Sequence, residues 1–192
     1  MTKKPLACAV LLLGAACAAQ ATMKIESPDI KPASMIDKKF EANVFGCTGE
    51  NKSPVLRWSG APKKETKSYA VTVYDPDAPT GSGFWHWFVY NIPANVTELK
   101  ADAGNASNAN LPAGAKQHRI DYGFAAWGGP CPPEGDRAHR YVFTVYALKV
   151  DKLDIPADAS TAVAGFMTIA ESIDKASFTA KYGKPKPKAA KK

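Results

Sequence analysis

Beyond Met23 the 192-residue sequence has no apolar run near the ~20 residues that span a bilayer. That excludes a helical membrane body. The four cysteines form no CxxC pair, which argues against a structural zinc site or a dithiol redox motif. GxSxG, HExxH and P-loop signatures are also missing. No repeat shows at periods of 20 to 50 residues, which excludes solenoids and propellers. What is there is ordinary globular composition: 45% hydrophobic, 22% charged and 10% aromatic residues.

A net charge of +7 invites a nucleic-acid reading. The distribution removes it. Lys3 and Lys4 stand at the N-terminus, and Lys184, Lys186, Lys188, Lys191 and Lys192 at the C-terminus. Between Thr22 and Gly183, 18 basic residues face 18 acidic ones, so the body is neutral. No nucleic-acid partner is expected.

Met1 to Ala21 reads as a secretory signal peptide, with a lysine n-region, the apolar Leu6–Leu13 and the cleavage pattern Ala19-Gln20-Ala21. A membrane anchor is the rival for this Ala- and Gly-rich stretch. Lipidation at Cys17 is disfavoured, because Gly14 stands where a leucine belongs. The organisation is then a signal at 1–21, one domain at 22–183 and a mobile Lys-rich tail at 184–192. The mature chain is expected to be periplasmic or secreted, with no transmembrane segment. Weak contact between the tail and anionic envelope surfaces stays open. Export removes Cys8 and Cys17. Cys47 and Cys131 remain, and oxidising conditions favour their pairing over two free thiols. A bridge would close a loop of about 85 residues, worth roughly 4 kcal/mol in the chain-entropy account.

The body reads as mainly β. Tyr69–Tyr74, Phe84–Ile92 and Tyr141–Val150 are β-branched and aromatic runs, with a shorter candidate at Ser53–Ser59. They are apolar on both faces, so they belong inside a sheet covered on both sides. Thr161 is a candidate cap for a helix whose stripe is Val163, Phe166, Met167, Ala170 and Ile173. Residues 94–114 read as a long loop, a class often functional.

Three clusters carry chemistry. Asp75-Pro-Asp-Ala-Pro79 follows a strand, and its prolines stiffen the turn that bears two acids. Alone it is a rigid turn with solvated carboxylates. In Phe84-Trp-His-Trp-Phe88, alternation puts His86 on a face with Phe84, Phe88 and Tyr90. A histidine there is more often a core residue than a ligand. The third cluster is Gly128-Gly-Pro-Cys-Pro-Pro133, followed by His139-Arg-Tyr141. Together they sketch a pocket of Asp75, Asp77, His86 and His139 with aromatic walls. Imidazoles can donate to phosphate oxygens, with carboxylates fixing the tautomer behind them. Such a pocket suits a phosphate-bearing or zwitterionic small molecule. Two histidines with carboxylates are also a common divalent-metal set.

In order along the chain, these clusters resemble the phosphatidylethanolamine-binding (Raf-kinase-inhibitor-like) family, and its bacterial YbhB/YbcL-type branch most. The resemblance runs from Phe45-Gly-Cys-Thr-Gly-Glu through Leu56-Arg-Trp-Ser-Gly-Ala-Pro62, Tyr74–Gly81 and Trp85-His-Trp87 to Gly128–Pro133 and His139–Phe143. It implies a central antiparallel sheet packed on a smaller one, with a few peripheral helices. It also implies an anion pocket lined by Asp75, Asp77, His86, His139 and Tyr141, walled by Pro79 and Pro133. A cis peptide before Pro79 is part of that expectation. No cofactor is implied. The kinase-binding C-terminal helix of animal members has no counterpart in the Lys-rich end. The leading function is an exported small-ligand-binding protein, with an unidentified protein partner left open. A phosphoester hydrolase, metal-assisted or general-base, and a secreted protease or other enzyme inhibitor are the alternatives.

Overall fold

The computed structural model describes residues 22–186; the expected signal segment and the last six residues of the tail lie outside the described residues. In chain order the strands are β1 (Lys24–Glu26), β2 (Leu56–Ser59), β3 (Ser68–Asp75), β4 (Phe84–Pro93), β5 (Glu98–Leu99), β6 (Lys116–Gln117), β7 (His139–Leu148) and β8 (Ser172–Tyr182). Helix α1 (Thr161–Glu171) runs straight into β8.

The β-branched and aromatic runs form the middle of a five-stranded antiparallel sheet, in the order β6-β4-β3-β7-β8. A three-stranded antiparallel sheet, β1-β2-β5, packs on one face. Between the sheets lie Val71, Val73, Trp87, Phe143 and Val145, against Ile25, Leu56 and Trp58. On the far face Ala70, Phe88, Tyr90 and Leu148 pack with Ala164 of α1. Both faces are covered, as the two-sided apolar pattern requires. The chain is mainly β, with the expected large and small sheets.

The helix turns its expected stripe the other way. Val163, Phe166 and Ile169 are exposed, and the buried positions are Thr161, Ala164, Gly165 and Thr168. The reason is space. Trp85 lies against Gly165, about a van der Waals contact from where a Cβ would sit, so only small residues fit beneath the helix. Ser160, not Thr161, caps it, accepting from the Val163 N–H at 3.3 Å. Thr161 instead donates to the Arg119 carbonyl. The 94–114 loop is mostly turns around β5. It closes on the core, with the Gly104 carbonyl accepting from the Trp127 N–H at 2.8 Å.

β8 was not legible as a strand. It forms the edge beside β7, and residues 33–36 cover its C-terminal part through Ala33 N–H to the Thr179 carbonyl and Ile36 N–H to the Lys181 carbonyl. The chain also stays on the body past Gly183. Lys184 bridges to Glu134, with the ammonium 3.2 Å from the carboxylate.

Two irregularities shape β4. Val73 pairs with Trp87 but Tyr74 with Trp85, so His86 is an unpaired bulge residue. A second register shift accompanies Asn91, whose φ is 58°.

Phe143 is fully buried and stacks on Phe178, whereas Phe166 is 73% exposed. Phe143→Ala should cost about 3–5 kcal/mol. Phe166→Ala should stay within about 0.5 kcal/mol. Urea unfolding checks both, and the Phe166 variant reads which face of α1 is buried.

Candidate functional site

The C-terminal end of β3, the start of β4 and the start of β7 meet at one end of the large sheet, around a cavity of about 200 Å³. Asp75, Pro79, His86, Pro133, His139 and Tyr141 line it. These come from segments up to about sixty residues apart, brought together by antiparallel pairing.

Asp75 is 2% exposed. One carboxylate oxygen accepts from His139 Nδ1–H at 2.8 Å, and the other from the Asp77 backbone N–H at 2.8 Å. The buried carboxylate therefore has both oxygens engaged, as burial demands. It assigns the proton of neutral His139 to Nδ1 and leaves Nε2 for a ligand.

The bulge re-aims His86. Alternation alone groups it with Phe88 and Tyr90. Instead those rings pack with Trp85 on the α1 face, and His86 sits edge-on to Tyr141 with ring centroids 5.0 Å apart. Its Nδ1–H donates to the Gly128 carbonyl at 2.7 Å, with the Gly129 carbonyl at 3.1 Å. Burial holds the imidazole below its usual pKa, although the Gly128 carbonyl and the Asp75 charge pull the other way. Its Nε2 is thus an acceptor at neutral pH.

The Gly-Gly pair is required here by close approach. A Cβ on Gly129 would strike the Phe40 carbonyl, and one on Gly128 the Tyr122 ring. Asn51 fixes the segment, accepting from the Gly129 N–H at 2.8 Å and donating to the Trp127 carbonyl at 3.2 Å.

The Tyr141 hydroxyl is buried and has no hydrogen-bond partner among the described residues. Burial, with the nearby Asp75 charge, keeps it protonated far into the alkaline range. A buried donor on a cavity wall can donate to an acceptor group of a ligand.

Asp77 does not line the cavity. Its side chain is 3% exposed and turned to the start of β7. There the Arg140 N–H and Nε donate to Oδ2 at 2.9 Å each, and Arg140 Nη2 and Arg137 Nη2 to Oδ1 at 2.9 and 3.0 Å. The turn directs this: once the Asp77 N–H points at Asp75, its side chain leaves the pocket. The Arg140 hydrogen bonds, more than the two guanidinium charges, hold the Asp77 carboxyl well below the usual carboxylate range. The expected cis bond before Pro79 is also overturned, since there is no cis peptide among the described residues. Trans is the lower-energy isomer, and nothing at this turn demands the other.

Cys47 and Cys131 form a disulfide. Cys131 itself lines the cavity, so the bridge ties the 43–47 loop to its wall. Sequence reasoning missed Tyr122, Phe84, Phe45 and Asp136. Tyr122 donates to the Gly129 carbonyl at 2.8 Å and touches His86, while Asp136 Oδ2 lies 3.7 Å from His139 Nε2. Tyr122 and Asp136 sit in loops without periodicity, and only nearness to the Gly-Gly and His-Arg-Tyr pieces marks them. The third histidine, His118, is elsewhere, against Phe88 and Tyr90.

Because the Asp77 carboxyl is depressed on folding, its contribution is full above its unfolded pKa and lost as pH falls toward the folded value. Asp77→Asn should therefore lower stability at neutral pH and flatten the fall in urea midpoint below about pH 4. An unchanged acid slope would contradict the clamp.

Comparison with known proteins agrees with the fold. The family model described as phosphatidylethanolamine-binding protein matches residues 26–183. The UPF0098 protein YbcL of Escherichia coli is 49% identical over 162 residues, covering 84% of this chain and 88% of YbcL. The UPF0098 protein YbhB of the same organism is 42% identical over 160 residues, covering 83% and 99%. The crystal structure of E. coli YbcL superposes with a TM-score of 0.82 over 85% of this chain and 99% of that one. With that breadth of match, and the same two-sheet architecture, the chain belongs to the phosphatidylethanolamine-binding protein family.

Proposed function

We propose that this chain is an exported binding protein that holds a phosphate ester or phospholipid headgroup in the cavity at the sheet end, without turnover. The observation that carries the reading is the buried, unpartnered Tyr141 hydroxyl beside two imidazoles whose Nδ1 atoms are already engaged. A phosphate offers several acceptor oxygens to such a floor, and protonated imidazoles add charge-assisted donors. Asp75 lies behind His139 as a counter-charge. Its two oxygens are both committed, so Asp75 is poorly placed to act as a general base itself. A disulfide in the cavity wall supports an oxidising compartment. Modulation of a protein partner is a further part of the reading.

Because burial keeps free His86 uncharged, a phosphate dianion binds together with a proton. Affinity should then fall as pH rises from about 6 to about 8. Calorimetry with inorganic phosphate in buffers of different ionisation enthalpy reads both affinity and proton uptake. His86→Ala and His139→Asn, which keeps a donor for Asp75, should each weaken binding at least about tenfold, with an unaltered circular dichroism spectrum. Equal affinity in the parent and both variants would refute the reading.

A further inference from the structure

Phe45 is an apolar ring left in the open at the mouth of the cavity. It is 78% exposed, and it lines the cavity. Its φ is 53°, a left-handed conformation that costs a non-glycine residue roughly 1 kcal/mol or more. Folding has no use for a phenyl group there, since the ring buries nothing of the core. The surroundings nevertheless hold it. Tyr122 stacks on it, with centroids 5.7 Å apart and planes 17° from parallel. Tyr122 is itself backed by Phe124, stacked at 5.5 Å, and by Phe84, edge-on at 5.0 Å. Two residues on, the Cys47–Cys131 bridge fastens the loop to the opposite wall.

The cavity is thus divided by chemistry. Its floor carries His86, His139 and the Tyr141 hydroxyl. Its mouth carries Phe45, Tyr122 and Phe84 together with the exposed Pro79, Thr80 and Pro133, and Asp75 is the one charged side chain in the lining. A group attached to a phosphate on the floor leaves past walls that are mostly aromatic faces and proline rings. Such walls reward flat apolar substituents and offer little to a small hydrated headgroup.

We infer that Phe45 and Tyr122 form a ring-binding lip, so that the cavity takes phosphate monoesters of aromatic alcohols in preference to esters of small polar alcohols. This rests on the anion-binding reading of the same cavity and adds the class of ester. Phe45 is the specificity-determining residue: an aromatic guest completes a stack whose other layers, Tyr122 and Phe124, are already in place.

The test is calorimetry at one pH with inorganic phosphate, phenyl phosphate and phosphoethanolamine. The parent protein should bind phenyl phosphate about tenfold more tightly than either other probe. Phe45→Ala should shrink that preference to about twofold or less, and Phe45→Tyr should retain it. Thermal unfolding of both variants shows that the fold is kept. A parent that binds inorganic phosphate but shows no aryl preference, or prefers phosphoethanolamine, overturns the lip and leaves the anion pocket standing. An aryl preference undiminished in Phe45→Ala overturns the role of Phe45. Failure of the parent to bind either inorganic or phenyl phosphate overturns the lip and the anion pocket together.

Discussion

The buried hydrogen bond between His139 and Asp75 is the contact on which the end of the molecule turns. It joins the last residue of β3 to the first of β7, where the two central strands finish their pairing. A carboxylate at 2% exposure is tolerable only with both oxygens satisfied. The second oxygen takes the Asp77 N–H, which in turn swings Asp77 out to the two arginines. One buried charge thus sets the turn, orients an imidazole and fastens the start of β7 from outside.

Everything else at the site is arranged against that fixed corner. The bulge at His86 breaks the alternation of β4 and points the second imidazole along the sheet toward Tyr141. The Gly-Gly carbonyls take up its Nδ1–H, and the lack of side chains there lets Tyr122 and the Phe40 backbone close in. The disulfide brings a fifth segment to the wall. Loops without regular structure are held by backbone and covalent constraints, which is how a binding surface stays shaped in the absence of ligand.

The sequence pattern revealed strands where burial is two-sided, because Tyr69–Tyr74 and Tyr141–Val150 have no other reason to be so apolar. It revealed the pocket through punctuation, since prolines and glycines beside histidines are costly anywhere else. It misjudged whatever depends on one extra residue or on the size of a neighbour. The bulge moved His86 off its expected face. Trp85 beneath Gly165 reversed the helix, so its large residues face out. Asp77 carries the same chemistry as Asp75, and only the direction of one N–H separates a pocket acid from a surface clamp. β8 was hidden because it is half exposed, with charged residues interrupting its alternation.

The open part of β8 has a consequence for how copies of the chain meet. Residues 33–36 cover the strand from Thr179 onward, and the stretch before it has no strand partner on its outer side. Such an edge is a template for self-association. Outward-facing backbone groups belong to the odd-numbered residues, as at Thr179 and Lys181. Two copies pairing antiparallel must therefore set odd against odd. Registers centred on Asp174 or Lys175 then oppose like charges across the two-fold axis, whereas one centred on Ala176 does not. The Asp174 side chain also accepts from the Lys175 N–H at 2.8 Å, withdrawing a donor the edge would otherwise offer. The charges that disguise this strand in the sequence thus penalise two of the central registers in which copies could pair.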